Sequence, residues 1–102
     1  MRHFNGFRDE MHKRYATLGR EFVDAIVRRH GARAAAILGE ARSAADLGRH
    51  FGAGLTEREV EFLRREEWAR TAEDVLWRRT KCGLHMSEAE RGAFAQYMEG
   101  RG

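Results

Sequence analysis

The sequence predicts an all-α fold, a compact irregular bundle of five to seven short helices that cross one another. The chain contains no proline, and it is rich in alanine, leucine, arginine and glutamate, which favour helices. Apolar residues recur at helical spacing, as in the buried stripe expected of Phe22, Val23, Ile26 and Val27. No window shows the sustained alternation of apolar and polar residues that indicates a strand, so we predict no strand.

Caps and glycines set the helix boundaries in the first half of the chain. Asn5 is predicted to cap a first helix that ends near Arg14, because its side chain can accept a free amide of the first turn. Gly31 and Gly39 are predicted to end two later helices, since glycine favours the backbone conformation that follows a helix. The further helices predicted here cover residues 18–30, 32–38 and 43–47.

Capping boxes open the helices predicted in the second half. In a capping box, a Ser or Thr hydroxyl accepts the amide three residues later, and the side chain at that later position reaches back. Such boxes begin at Thr56, Thr71 and Ser87. The helices that they open are predicted over residues 56–68, 71–81 and 87–98, and Gly83 is expected to stop the second.

The stretch 47–55 contains Gly48, Gly52 and Gly54 and is predicted to be a tight irregular loop. A dinucleotide fingerprint needs G-x-G-x-x-G after a strand and at the start of a helix. No strand is predicted here, and residue 57 is not glycine, so we interpret the stretch as a chain reversal. His50 lies within it, and its simplest role is in packing.

No constellation in the sequence predicts catalysis or metal binding. Cys82 is the sole cysteine, so it forms no internal disulfide, and we interpret it as a buried structural residue. Zinc sites usually pair Cys and His at short spacings, which the five histidines do not show. We expect no catalytic, metal-binding or cofactor-binding residue in these 102 residues.

The formal charge of +3 raises the question of an anionic partner. The basic runs at residues 28–30 and 78–81 lie at predicted helix C-termini, where cations offset the helix dipole. The weaker alternative is therefore an independent basic helical module that binds nucleic acid or a protein partner. No apolar run has the length of a membrane span, and no signal segment is visible, so we expect a cytoplasmic location.

Two tryptophans, Trp68 and Trp77, lie nine residues apart among arginines and carboxylates. Tryptophan beside arginine is typical of interface anchors, and large aromatics are equally typical of the core of a small domain. Both interpretations stay open. If Arg70 or Arg78 is buried, it must pair with a carboxylate, for which Glu67 and Asp74 are the candidates. Helical spacing predicts that Asp74, Trp77, Arg78 and Lys81 share one side of the helix. The expected scaffold and docking residues are Glu67, Trp68, Arg70, Asp74, Trp77, Arg78, Arg79 and Lys81.

This stretch also carries a resemblance to a known family. The sequence EWARTAEDVLWRRTKCGL, residues 67–84, resembles the signature of the C-terminal domain of aerobic, FAD-dependent glycerol-3-phosphate dehydrogenases. Residues 45–63 (ADLGRHFGAGLTEREVEFL) and 28–38 (RRHGARAAAIL) are similar to its glycine loop and short-helix entry. Residues 4–18 (FNGFRDEMHKRYATL) fit its start more loosely. Cys82 departs from the leucine expected at its position.

The resemblance implies that residues 1–102 form a single helical C-terminal cap domain of a larger flavoenzyme. Such a parent oxidises sn-glycerol 3-phosphate to dihydroxyacetone phosphate, passes electrons through FAD to quinone, and lies peripherally on the cytoplasmic face of the inner membrane. Its FAD and substrate sites lie in an oxidoreductase domain outside this sequence, so no catalytic residue is carried over. That domain is the implied partner, and a separated cap could also self-associate through its docking face.

Overall fold

A computed structural model describes residues 2–101, with side chains from Gly6 to Gly100, and divides into two units between Leu47 and Gly48. The first unit contains α1 (Arg2–Arg14), α2 (Arg20–His30), α3 (Ala34–Leu38) and α4 (Ala44–Leu47), with 3-10 turns at Ala16–Leu18 and Gly31–Arg33. The second contains strands β1 (His50–Gly52) and β2 (Leu55–Thr56), then α5 (Glu57–Glu66), a π-helical segment (Asp74–Arg79), a 3-10 turn (Cys82–His85) and α6 (Glu88–Arg101). Helix dominates both units, which confirms the all-α prediction.

The core of the first unit forms where the apolar stripe of α2 meets α1. Tyr15 follows the end of α1, is 2% exposed, and donates its hydroxyl proton to the carbonyl oxygen of Gly39 at 2.7 Å. His12 Nε2 of α1 lies 2.6 Å from Asp24 Oδ1 of α2. The buried side chains of this core are Met11, Tyr15, Val23, Ile26, Val27, Ala34, Leu38, Ala41 and Leu47.

Glycines end the helices of the first unit as predicted. Gly31 and Gly39 have φ angles of 59° and 49°, and their amides donate to Val27 and Ala35 carbonyls of the preceding helices. The predicted Asn5 cap is wrong, because α1 begins at Arg2 and Asn5 lies inside it. A cap contributes only about 1 kcal/mol, so backbone hydrogen bonds of an earlier turn can outweigh it.

The second unit begins with a β-hairpin, so the prediction of no strand is wrong. His50 pairs with Thr56 and Gly52 with Leu55 in antiparallel register. Strands this short cannot show the alternation by which a strand is detected in a sequence. Ala53 and Gly54 make the predicted chain reversal, with φ angles of 53° and 78°.

Aromatic side chains join the hairpin to α6. Phe51 of β1 is 6% exposed, and its ring centre lies 4.8 Å from that of Phe94 and 4.7 Å from that of Tyr97. Val60 and Leu63 of α5 are fully buried, as predicted. The core of the second unit therefore forms around the hairpin, α5 and α6.

Two of the predicted capping boxes form in the second unit. The amide of Glu90 donates to Ser87 Oγ at 3.1 Å, and the amide of Ser87 donates back to Glu90 Oε1 at 2.9 Å. Asp74 and Thr71 exchange the same kind of bonds, at 3.1 and 3.3 Å. The Thr56 box is wrong, since Thr56 precedes α5 without a side-chain capping bond. Thr56 belongs to β2 and is buried, so hairpin pairing fixes its position.

Within residues 2–101, no helix is both long and apolar enough to cross a membrane.

Candidate functional site

The connection between α5 and α6, residues 67–84, contains all the predicted scaffold and docking residues, and we call it the tryptophan segment. It begins at a tight helix end, where the amides of Glu67 and Ala69 both donate to the carbonyl oxygen of Leu63, at 2.9 and 3.1 Å. Trp68 lies between them with a φ angle of +61°. The predicted helix over residues 56–68 therefore ends at Glu66, because this turn reverses the chain.

The exposure of the side chains in this segment tests the core interpretation. Trp68 is 73% exposed and Leu84 is 66% exposed, so the core interpretation is wrong for Trp68. Trp77 is 41% exposed and rests on Gly83, where an added Cβ would lie 2.9 Å from the indole Cζ2 atom. Among the side chains from residue 6 to residue 100, these three are the large apolar groups left exposed.

The predicted helix over residues 71–81 has π-helical geometry from Asp74 to Arg79. The amide of Thr80 donates to the carbonyl oxygen of Val75, five residues earlier, at 3.0 Å, and its hydroxyl donates to the same oxygen at 2.7 Å. Thr80 Oγ1 also accepts the amide of Cys82 at 3.1 Å. Lys81 follows with a φ angle of +60°. It therefore lies beyond the helix and does not share one side with Asp74, Trp77 and Arg78, as helical spacing had predicted.

Arg78 and Arg79 form ion pairs in this segment, and none of its arginines is buried. Arg79 Nη1 lies 3.4 Å from Glu67 Oε1, and Arg79 Nη2 donates to the carbonyl oxygen of Glu67 at 3.1 Å. Arg78 pairs with Asp74 at 3.9 Å, but its side chain is 80% exposed. Arg70 is also exposed, and its guanidinium lies 5.9 Å from the Trp68 ring centre. The condition of a buried Arg70 or Arg78 is therefore not met, and Glu67 braces Arg79 instead.

Asp74 has a clear change in acidity. Hydrogen bonds from the Arg70 amide and then the Thr71 amide hold the pKa of the Asp74 carboxyl below its ordinary value. These bonds stabilise the carboxylate, so Asp74 is a weak proton acceptor at neutral pH. Its place is structural, at the start of the helical part of the segment.

The other residues singled out in the sequence also have structural positions. Cys82 is 3% exposed, as interpreted, and its Sγ lies 3.8 Å from the carbonyl oxygen of Ala53. His50 Nε2 accepts the amide of Gly54 across the hairpin turn at 3.1 Å. An added Cβ on Gly52 would lie 2.7 Å from the Glu90 carboxylate carbon. The glycines therefore serve the hairpin, and a carboxylate occupies the space where a phosphate cradle would hold its ligand.

Some site residues had no signal strong enough to identify them in the sequence. The amide and the hydroxyl of Thr80 both donate to the Val75 carbonyl oxygen at the end of the π-helical segment, and Gly83 lies against Trp77. The sequence shows Leu84 only as an apolar residue after Gly83, where the predicted helix ends, and does not predict its exposure. The basic run at residues 28–30 falls in the last turn of α2, as predicted.

The chain belongs to the family described as the C-terminal domain of alpha-glycerophosphate oxidase, which matches residues 4–99. The resemblance found in the sequence is thereby confirmed. The match extends across both units and includes the whole tryptophan segment.

The relatives of this chain are named as dehydrogenases of polyol phosphates. Glycerol-3-phosphate dehydrogenase of Pseudomonas aeruginosa is 42% identical over 91 residues, covering 89% of this chain and 18% of the relative. D-erythritol 1-phosphate dehydrogenase of Brucella abortus is 41% identical, covering 94% and 19%. Aerobic glycerol-3-phosphate dehydrogenase of Escherichia coli is 33% identical, covering 86% and 18%. The chain thus spans less than a fifth of the length of these curated relatives.

Proposed function

We propose that this chain is the non-catalytic C-terminal cap of an FAD-dependent glycerol-3-phosphate dehydrogenase. In this proposal, the oxidoreductase part of the same polypeptide oxidises sn-glycerol 3-phosphate to dihydroxyacetone phosphate, and two electrons pass to FAD and then to quinone. The cap packs on that part and stabilises it. The family match and the 42% identity to a glycerol-3-phosphate dehydrogenase support this choice of parent.

The exposure of the tryptophan segment is the observation that carries the docking role. Trp68, Trp77 and Leu84 fall within 17 consecutive residues, and each leaves a large apolar surface in water. Concentrated apolar exposure is typical of interaction surfaces, and tryptophan with arginine is typical of their anchors. Arg79 binds both the side chain and the carbonyl oxygen of Glu67, so the stretch from Glu67 to Arg79, which includes Trp68 and Trp77, is tied together at its ends.

The chemistry of the described residues supports a non-catalytic role. The Asp74 carboxylate is engaged by two backbone amides, and the Cys82 thiol is buried. The residues of the glycine hairpin do not fit FAD, because the Glu90 carboxylate lies against Gly52 and would repel a pyrophosphate. We therefore assign FAD and substrate binding to the parent's oxidoreductase part.

The choice of substrate rests on the relatives. One of the relatives is named for D-erythritol 1-phosphate, at an identity close to that of the Pseudomonas aeruginosa enzyme. Both substrates are polyols with a phosphorylated end, so the cap sequence supports that class and does not separate its members. Glycerol 3-phosphate is our choice within the class. We further propose that the parent is peripheral on the cytoplasmic face of the inner membrane.

The test is removal of this chain from the full-length parent and its addition as a separate chain. We expect the shortened enzyme to lose thermal stability and dye-reducing activity with glycerol 3-phosphate, and the added chain to restore both. An unrelated helical protein of equal size is the control for non-specific protection. A shortened enzyme as stable and active as the full-length one would overturn the capping role. Assays with erythritol 1-phosphate in parallel test the choice of substrate.

A further inference from the structure

We propose that Trp68 anchors this domain to the rest of its polypeptide, and that its indole inserts into an apolar pocket rimmed by carboxylates on the oxidoreductase part. The inference rests on the proposed function, since it names the anchor and the partner chemistry of the same docking surface. It stands on three properties of Trp68, namely its backbone conformation, its exposure and the charge around it.

The backbone at Trp68 favours a different residue. At a φ angle of +61°, the Cβ of an L-residue crowds the neighbouring peptide groups, and glycine is the usual choice after a helix. The turn at the end of α5 needs this conformation, because the amides on both sides of Trp68 reach back to Leu63. The turn therefore explains the φ angle, but it does not explain why a tryptophan occupies the position. Ala53 and Lys81 have similar φ angles, so the strain alone does not distinguish Trp68. A large side chain at a strained position that the turn does not need points to a role outside the turn.

The exposure of Trp68 shows that the side chain is not retained for the core. With 73% of its surface in water, the indole gives little packing within the chain. Tryptophan offers one of the largest apolar surfaces of any side chain, on a body with only two rotatable bonds. Placing it against a partner gains much burial at a small entropy cost.

The charge around Trp68 defines what its partner offers. A cavity of about 410 Å³ beside the indole is lined by Arg64, Arg65, Trp68, Ala69 and Arg70. Arg64 pairs with Glu61 at 3.8 Å, and both side chains are half-buried. Arg65 pairs with Glu66 at 3.2 Å at the surface, where such pairs are weak. The neighbouring carboxylates of Glu67 and Asp74 pair with Arg79 and Arg78, so the three arginines still outnumber the two carboxylates left to them. The complementary partner surface is therefore acidic around an apolar pocket.

A second copy of this chain fits this surface poorly. In a two-fold symmetric contact, each patch meets its own copy, so the arginines around one Trp68 would face the same arginines of the other. Like charges across an interface oppose binding. The rest of the polypeptide carries no such penalty, and the chain covers only 18% of its Pseudomonas aeruginosa relative.

The first experiment measures amide hydrogen exchange of residues 64–70 in the full-length parent, which reports local opening. Trp68→Gly removes the indole and also relieves the backbone strain. We expect it to raise the exchange rate by roughly thirtyfold, the size of an interface hot spot. Trp68→Phe keeps a smaller aromatic ring that can still enter the pocket, so its exchange rate should stay within about threefold of the wild-type rate. The matched control is Ala53→Gly, which relieves a positive φ of 53° elsewhere and should change nothing at residues 64–70.

A second variant separates this inference from the proposed function. Trp77→Ala combined with Leu84→Ala removes the other exposed apolar groups of the tryptophan segment. If the exchange rate of residues 64–70 is unchanged in Trp68→Gly but raised in the double variant, the segment still docks and Trp68 is not its anchor. If neither variant changes the exchange, docking through this segment is overturned, and the proposed function with it.

The occupant is identified by cross-linking from position 68. A photoreactive phenylalanine analogue in place of Trp68 is expected to cross-link within one polypeptide, to a segment bearing aspartate or glutamate. Cross-links between two polypeptides would show a second copy as the occupant. Cross-links to anionic phospholipid vesicles would show a membrane surface. Either of these results would overturn the inference.

Discussion

The glycine hairpin (residues 48–56) and the tryptophan segment (residues 67–84) have similar backbone features but place their aromatic side chains differently. Each holds a non-glycine residue at positive φ, Ala53 in one and Trp68 in the other, and each sets a glycine against a large side chain. The hairpin buries its aromatic residue, Phe51, whereas the segment leaves Trp68 exposed. The difference shows that an irregular, strained connection can build a core or present a surface, according to where its aromatic residues point.

Replacing Phe51 tests the core side of this comparison and should have the largest effect. Phe51→Ala removes a ring packed against Phe94 and Tyr97, so we expect a loss of about 3–5 kcal/mol in the free energy of unfolding. Urea denaturation measures it. Phe51→Leu, which keeps most of the volume, should cost less than about 1.5 kcal/mol. A loss under 1 kcal/mol for the alanine variant would mean that the hairpin is not part of the core.

Gly52→Ala should have the next largest effect. The new methyl group would meet the Glu90 carboxylate, which accepts the amide of Ser87 at the start of α6. The backbone at Gly52 also has a φ angle of 135°, which strains any residue with a Cβ. The exposed Glu90 side chain can move away, so we expect a loss of about 2 kcal/mol from backbone strain and the lost cap of α6 together. Gly54→Ala is the control, because its φ is 78° but its surroundings are open, so only strain of about 1 kcal/mol applies. Equal thermal shifts in the two variants would contradict the close approach.

Trp77→Ala measures how far the tryptophan segment departs from a core. The indole is 41% exposed and rests on Gly83, so we expect a loss of about 1–2 kcal/mol, between the values for core and surface residues. A loss of about 3–5 kcal/mol in urea denaturation would place Trp77 in the core. Arg78→Ala, one residue away and 80% exposed, is the control and should be close to neutral.

Asp74→Asn should have the smallest effect, and one that depends on pH. Because the pKa of Asp74 is lower in the folded chain than in the unfolded chain, its carboxylate adds stability above the unfolded pKa. That stability is lost as the pH falls through the folded pKa. The variant should therefore be slightly less stable than the wild type at neutral pH, and the difference should vanish in acid. Thermal unfolding at several pH values tests this, and a difference independent of pH would contradict it.

Local interactions made part of the fold predictable from the sequence. The boxes at Thr71 and Ser87 formed because their partners lie three residues away, within the reach of one helical turn. The box at Thr56 did not form, and Thr56 instead pairs with His50, six residues earlier, in a strand. The strands themselves were too short to produce a periodic signal.

The candidate site was predictable as a stretch of sequence but not as a geometry. The residue types between Glu67 and Lys81 indicated an anchor or a core, and only the structure could show that Trp68 lies outside the core. The brace between Glu67 and Arg79 joins residues twelve apart across a turn that no spacing rule anticipates. The π-helical segment ends in a bond from the Thr80 hydroxyl to the Val75 carbonyl oxygen, and a threonine at a helix end does not predict that geometry.

The buried Cys82 gives this chain an intrinsic reporter of its own opening. It is the only thiol in the sequence, and it lies 3% exposed beneath the hairpin turn. A thiol reagent can modify it only when the hairpin and the end of the tryptophan segment separate. The labelling rate of Cys82 therefore measures the free energy of that separation, because exchange through a transient opening scales with its population. Any partner that holds the tryptophan segment in place will slow the labelling.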